Sequence, residues 1–314
     1  MRRILICSAI VATALFTGAI GEKKEVDFCF ANEFQGKRLA SRDVVDACSD
    51  LLAKSGQEFT LRNEAQILNN RGTAYIDLGQ LDLALADFNA ALRIDPLLVE
   101  PVTNRGSVNL KKRNFDQAIA DYTAVIAREP RHISAYVNRG VAHLKKHELD
   151  AAMQDFDAAM RIDSSSYAAR INKSLTLLER GDIAGANAEA AAASAQHPSY
   201  FWSHNLQCLL KASTRQDLTG AQSACAEAQR VSANNYAVFH SIGLVKYQMG
   251  QFREAVTAYD RFIAFEPNEP VALYMRGLSK RRLGDSAGGD RDVAAARALD
   301  PKVEAIYGSL AGSS

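Results

Sequence analysis

A fixed interval between glycines constrains this chain more than any other feature. Arg71-Gly72, Arg105-Gly106 and Arg139-Gly140 lie 34 residues apart, and Gly243 and Gly277 are again 34 apart. A period of 34 specifies paired helices stacked in an array, because one such pair cannot bury its apolar face alone. Aligning on the small residues gives repeats at 65–98, 99–132, 133–166, 167–200, 201–235, 236–269 and 270–303, the fifth carrying one extra residue.

Within a repeat the residue near the eighth position is small: Gly72, Gly106, Gly140, Ser174, Cys208, Gly243 and Gly277. It lets the second helix approach closely, and Ala84, Ala118, Ala152, Ala186, Ala221 and Ala255 supply the matching small surface. Tyr75, Leu81, Phe88, Phe115, Tyr122, Phe156, Phe252 and Tyr259 fill the space beside that crossing at the spacing of an apolar helix face. Pro96, Pro130, Pro198, Pro267 and Pro301 end the second helix, since proline breaks a helix and pushes its predecessor out of helical geometry. This pattern resembles the tetratricopeptide repeat over residues 65–303. Repeats four and five depart most, with Ser174 for glycine, Ala190 for the aromatic, and Cys208 and Cys225 in the fifth. The resemblance implies an all-α fold: an alpha-alpha superhelix (TPR solenoid) of about seven helix-turn-helix repeats. It also implies binding of another polypeptide rather than catalysis. Residues 22–64 read as a divergent N-terminal helical hairpin turning at 35–41, and 304–314 as a capping tail with a short helix ending at Gly308.

The first 21 residues stand apart. Arg2 and Arg3 precede an uncharged run from Ile4 to Ile20, after which Glu22-Lys23-Lys24 begins a charged stretch. This is the layout of a secretory signal cleaved after Gly21; the alternative is an uncleaved anchor, which would be the chain's one route to membrane contact. Removing residues 1–21 takes away two arginines and Cys7, leaving 35 basic residues against 36 acidic and four cysteines. An even cysteine number suits an oxidising compartment, periplasmic or extracellular. Cys29 and Cys48 lie either side of one presumed turn and Cys208 and Cys225 either side of another, so each pair faces across an antiparallel hairpin. They read as two disulfides, or else as four buried thiols. The full chain carries a net charge of +1, which offers no field for nucleic acid.

Two polar series recur with the repeat. Asn70, Asn104, Asn138 and Asn172 stand two residues before the small position. In the family such a row lies on the inner, concave face of the first helices, and it is similar to the asparagine ladder with which the O-linked N-acetylglucosamine transferase superhelix grips peptide backbone. An amide donates and accepts at once, so it pairs with a peptide unit whatever the side chain. The other reading is a merely tolerated polar residue on a solvated face. Lys111 and Lys145, again 34 apart, are further groove candidates, suited to an acidic side chain or a chain terminus, although the full lysine-asparagine clamp of chaperone-binding members is not reproduced. The second series is basic, one residue before the small position: Arg71, Arg105, Arg139, Lys173 and Arg276. It comes with Asp87, Asp121, Asp155, Glu189 and Asp292 on the second helices. Repeats five and six lack both partners, so these read as structural ion pairs.

Catalytic patterns find no support. Gly284-Asp285-Ser286-Ala287-Gly288 spells the nucleophile elbow of a hydrolase, but lies between two helices where that motif needs a strand. His143 and His147 are four apart without the glutamate of a zinc-protease helix. No phosphate loop or dinucleotide fingerprint occurs, so no cofactor and no metal is expected. The expectation is an exported scaffold or adaptor binding an extended segment of a cell-envelope protein in its groove. The alternatives are a structural subunit docking through the convex face or, less favoured, an envelope enzyme or glycan binder.

Overall fold

The computed structural model describes residues 28–30, 33–34, 37–38, 40–54, 61–215, 217–233 and 235–308. The signal sequence expected at 1–21, the end of the tail beyond Gly308 and parts of the turn at 35–41 lie outside them. Two compact bodies make up the chain, Met1–Arg128 and Glu129–Ser314.

In the N-terminal body a two-residue antiparallel ladder, β1 (Glu33–Phe34) and β2 (Lys37–Arg38), precedes α1 (Ser41–Ala53). Two helix pairs follow: α2 (Leu61–Asp77) with α3 (Leu81–Ile94), and α4 (Val99–Lys111) with α5 (Phe115–Arg128). The first helix of the first repeat therefore starts at Leu61, ahead of the repeat boundary at 65, because Leu61-Arg62-Asn63-Glu64 holds no glycine or proline to stop it. Ala47, Cys48 and Leu51 of α1 bury against Ile67 of α2, with Cys29 in the same cluster. Phe88 and Tyr122 are fully buried and press their rings on Gly72 and Gly106.

The C-terminal body continues with five more pairs. They are α6 (Ile133–Lys145) with α7 (Leu149–Ile162), α8 (Tyr167–Arg180) with α9 (Ile183–Gln196), and α10 (Phe201–Thr214) with α11 (Leu218–Val231). Then come α12 (Ala237–Gln248) with α13 (Phe252–Ile263), α14 (Pro270–Arg282) with α15 (Ser286–Leu299), and the short α16 (Val303–Tyr307). The glycine crossing is very tight here. A Cβ on Gly140 would sit 2.6 Å from the buried Phe156 ring. Gly140→Val is expected to destabilise this body by roughly 2 kcal/mol through overpacking, read as a lower denaturation midpoint. An unchanged midpoint would mean the ring swings aside freely.

Where the small residue is not glycine, a bond across the helices takes over from close packing. Ser174 Oγ donates to the Ala186 carbonyl at 2.7 Å in repeat four, and Cys208 is joined to Cys225 in repeat five. The elbow-like sequence at 284–288 resolves into ordinary capping: Gly284 ends α14 with φ +88°, and the Asp285 side chain accepts from the Gly288 N–H at 2.9 Å to start α15. Left-handed turn residues recur between the two helices of every repeat: Gly79, Arg113, His147, Gly181, Arg215, Gly250 and Gly284. Glycine takes that conformation without strain, whereas each of the three side-chain-bearing residues there costs roughly 1 kcal/mol.

Candidate functional site

The basic series is framework. Each base reaches the acid sixteen residues on, in the second helix of its own repeat. Arg71 meets Asp87 at 2.7 Å, Arg105 meets Asp121 at 2.6 Å, Arg139 meets Asp155 at 2.6 Å, Lys173 meets Glu189 at 3.0 Å, and Arg276 meets Asp292 at 2.7 Å. The four aspartates are only 4–7% exposed, and a carboxylate so buried needs its partner. Burial pushes the Asp292 carboxyl up, but hydrogen bonds from Arg276 and Lys280 outweigh it and hold the group below the usual carboxylate range. Likewise burial lowers Lys173, and its bonds to Asp157 and Glu189 more than offset that, holding the ammonium above its ordinary value.

Sequence reasoning missed a second set of partners. Arg105 also donates to Asn89 at 2.8 Å, Lys173 reaches Asp157 at 2.8 Å, and Arg276 reaches Asp260 at 2.8 Å, each sixteen residues back on the preceding repeat. Arg71 in the first repeat donates instead to Ser49 of α1 at 3.1 Å. One cation thus ties two successive hairpins, and the signal was available as a polar residue at 89, 157 and 260.

The asparagine row lies half-buried on α2, α4, α6 and α8. In the N-terminal body Asn70 Nδ2 donates to the main-chain carbonyl of Cys29 at 3.1 Å, and Asn104 Nδ2 donates to Asn69 Oδ1 at 3.0 Å. In the C-terminal body Asn172 Nδ2 turns back to the Ala168 carbonyl at 2.8 Å, while Asn138 makes no hydrogen bond among the described residues. Lys111 is exposed on α4. Lys145, at the end of α6, pairs with Glu269 just ahead of α14 at 3.0 Å.

That last pair belongs to a cluster joining the two ends of the C-terminal body. His147, in the α6–α7 turn, contacts Glu179 of α8 through Nδ1 at 2.6 Å and Asp300 at the end of α15 through Nε2 at 2.9 Å. Tyr307 of α16 donates its hydroxyl to Glu179 at 3.1 Å. The phenol is raised above its ordinary value, chiefly by burial and then by the Glu179 charge, so it stays a donor at any physiological pH. Nothing in the local pattern around His147 announced these partners, which lie up to 153 residues away.

Both expected cysteine pairs are joined: Cys29 to Cys48 with Cα atoms 4.9 Å apart, and Cys208 to Cys225 at 5.2 Å. Two disulfides are consistent with an oxidising compartment. Among the described residues no group of histidines, cysteines and carboxylates could hold a metal ion, and no helix is long and apolar enough to cross a membrane.

Family models described as tetratricopeptide repeat match residues 65–96, 103–169 and 241–302. The helix pairs, their 34-residue period and these matches place the chain in the tetratricopeptide-repeat family, whose fold is an interaction scaffold. No curated protein matches the chain. Among solved structures it is similar to a tetratricopeptide repeat protein from Parabacteroides merdae, with TM-score 0.69 and 16% identity, over 83% of this chain and 99% of that one. The APC/C hetero-tetramer Cut9–Hcn1 gives TM-score 0.58 at 12% identity, over 87% of this chain and 52% of the other. A monomeric mutant of IFIT1 with Gppp-AAAA gives TM-score 0.58 at 15% identity, over 86% and 68%. At such identities the likeness is one of fold.

Proposed function

We propose that the chain is an exported, non-catalytic scaffold that binds an extended segment of a cell-envelope protein along the asparagine-bearing faces of its first helices. The observation that carries this reading is the bond from Asn70 Nδ2 to the Cys29 carbonyl at 3.1 Å. There a member of the row already holds a main-chain carbonyl, which is the contact that side-chain-independent peptide binding requires. Asn138 has the same chemistry and no partner among the described residues, and Lys111 offers a charge for an acidic side chain. Export is supported by Arg2 and Arg3 ahead of the uncharged run and by the two disulfides. A near-neutral chain has no field that would favour nucleic acid.

The test is crosslinking and affinity capture from the envelope fraction, comparing wild type with the variant in which Asn70, Asn104, Asn138 and Asn172 are all alanine. Partner recovery is expected to drop at least tenfold, about 1.4 kcal/mol. Equal recovery would show that docking does not use these asparagines and overturn the reading.

A further inference from the structure

The last described helix and the residue at its approach are held by residues of much earlier repeats. Asp300 lies on His147 and Tyr307 on Glu179, while His147 and Glu179 also contact each other. The side chains of His147, Glu179 and Asp300 are only 13%, 11% and 12% exposed. Lys145 and Glu269 flank them with a second pair spanning 124 residues. Separately, α16 is fixed to its own end of the body by the buried Val303 and by Arg297, which donates to Glu304 at 3.0 Å. The tail therefore has two attachments: an apolar one to its neighbours and a polar one to the distant His147–Glu179 pair.

We propose that the His147–Glu179 pair is a peptide-docking site, occupied in this structure by the chain's own segment Asp300–Tyr307, and that its partner is a short segment carrying a carboxylate seven residues ahead of a tyrosine. The carboxylate takes the place of Asp300 on His147 Nε2, and the tyrosine hydroxyl that of Tyr307 on Glu179. The site deepens the scaffold reading and rests on it, but uses none of the asparagines. With the site occupied, the apparent Kd rises as the inverse of the fraction of molecules whose tail is undocked, so the tail acts as a built-in competitor.

The probe is a fluorescein-labelled peptide of residues 299–308, titrated by anisotropy onto the full chain. The variant Asp300→Asn/Tyr307→Phe loosens the tail while leaving Val303 in place, and is expected to bind the peptide at least tenfold more tightly than wild type. A peptide bearing the same two substitutions is expected to bind that variant at least tenfold more weakly, and His147→Gly added to the variant should remove binding. Equal binding to wild type and variant, or indifference to the peptide substitutions, overturns the proposal. Hydrogen exchange gives a second measurement with His147→Gly alone, a change that relieves the turn backbone. Amides of Ala305–Tyr307 should exchange at least tenfold faster while α7 stays protected; unchanged exchange shows that α16 is only an end cap. If the four-asparagine variant loses its partner and the peptide fails to bind, the scaffold reading stands and this one falls.

Discussion

Replacing Arg71 with alanine is expected to destabilise the N-terminal body by roughly 3 kcal/mol, because it strands a buried charge. Asp87 is 5% exposed and receives Nε at 2.8 Å and an Nη nitrogen at 2.7 Å from that one guanidinium. No other cation stands on Asp87 among the described ion pairs. The same substitution removes the Arg71 donor from Ser49 of α1, so the damage should spread to the packing of α1 on α2. Urea denaturation checks the magnitude. A companion variant, Arg71→Met/Asp87→Leu, should recover most of the loss, since a packed apolar pair often equals or exceeds a buried ion pair. If Arg71→Ala falls within about 0.5 kcal/mol of wild type, the range of ordinary surface substitutions, Asp87 is hydrated and the framework reading of the whole series fails.

The second large effect belongs to the Cys208–Cys225 bond. Cys208→Ala/Cys225→Ala, or reduction of the wild type, is expected to lower the stability of repeat five by about 3 kcal/mol, the magnitude typical for closing a loop of this size. Repeat five is the place to look because it has neither the glycine crossing nor the base and acid staple: Gln207 and Ala224 stand where other repeats place an arginine and an aspartate. The readout is amide exchange in α10 and α11, which should rise before that of α12 and α13, since a repeat array opens locally. Matching melting temperatures and exchange for oxidised and reduced protein would show that packing alone holds the hairpin.

How much of this could be read in advance depends on the range of each interaction. Helix type, the pairing of helices and the small-against-aromatic crossing are local to one repeat. The 34-residue interval from Gly72 to Gly106 to Gly140 therefore carries them, and Cys208 opposite Cys225 follows from equal distance to one turn. The link between Arg71 and Asp87 was legible for the same reason. The second partners of Arg105, Lys173 and Arg276 sit one repeat back, at an equally fixed sixteen residues, and so were within reach of the same pattern. What Asn70 touches was not, because its acceptor is a backbone carbonyl and backbone carbonyls are alike in every residue. Nor was the meeting of His147 with Asp300, or of Lys145 with Glu269. Those contacts depend on small rotations accumulated over several repeats. Each rotation follows from the packing of one hairpin on the next, and their sum is written in no single stretch of sequence. The sequence by itself determined the hairpins and their stacking partners; only the tertiary structure decided which distant side chains the finished stack brings face to face.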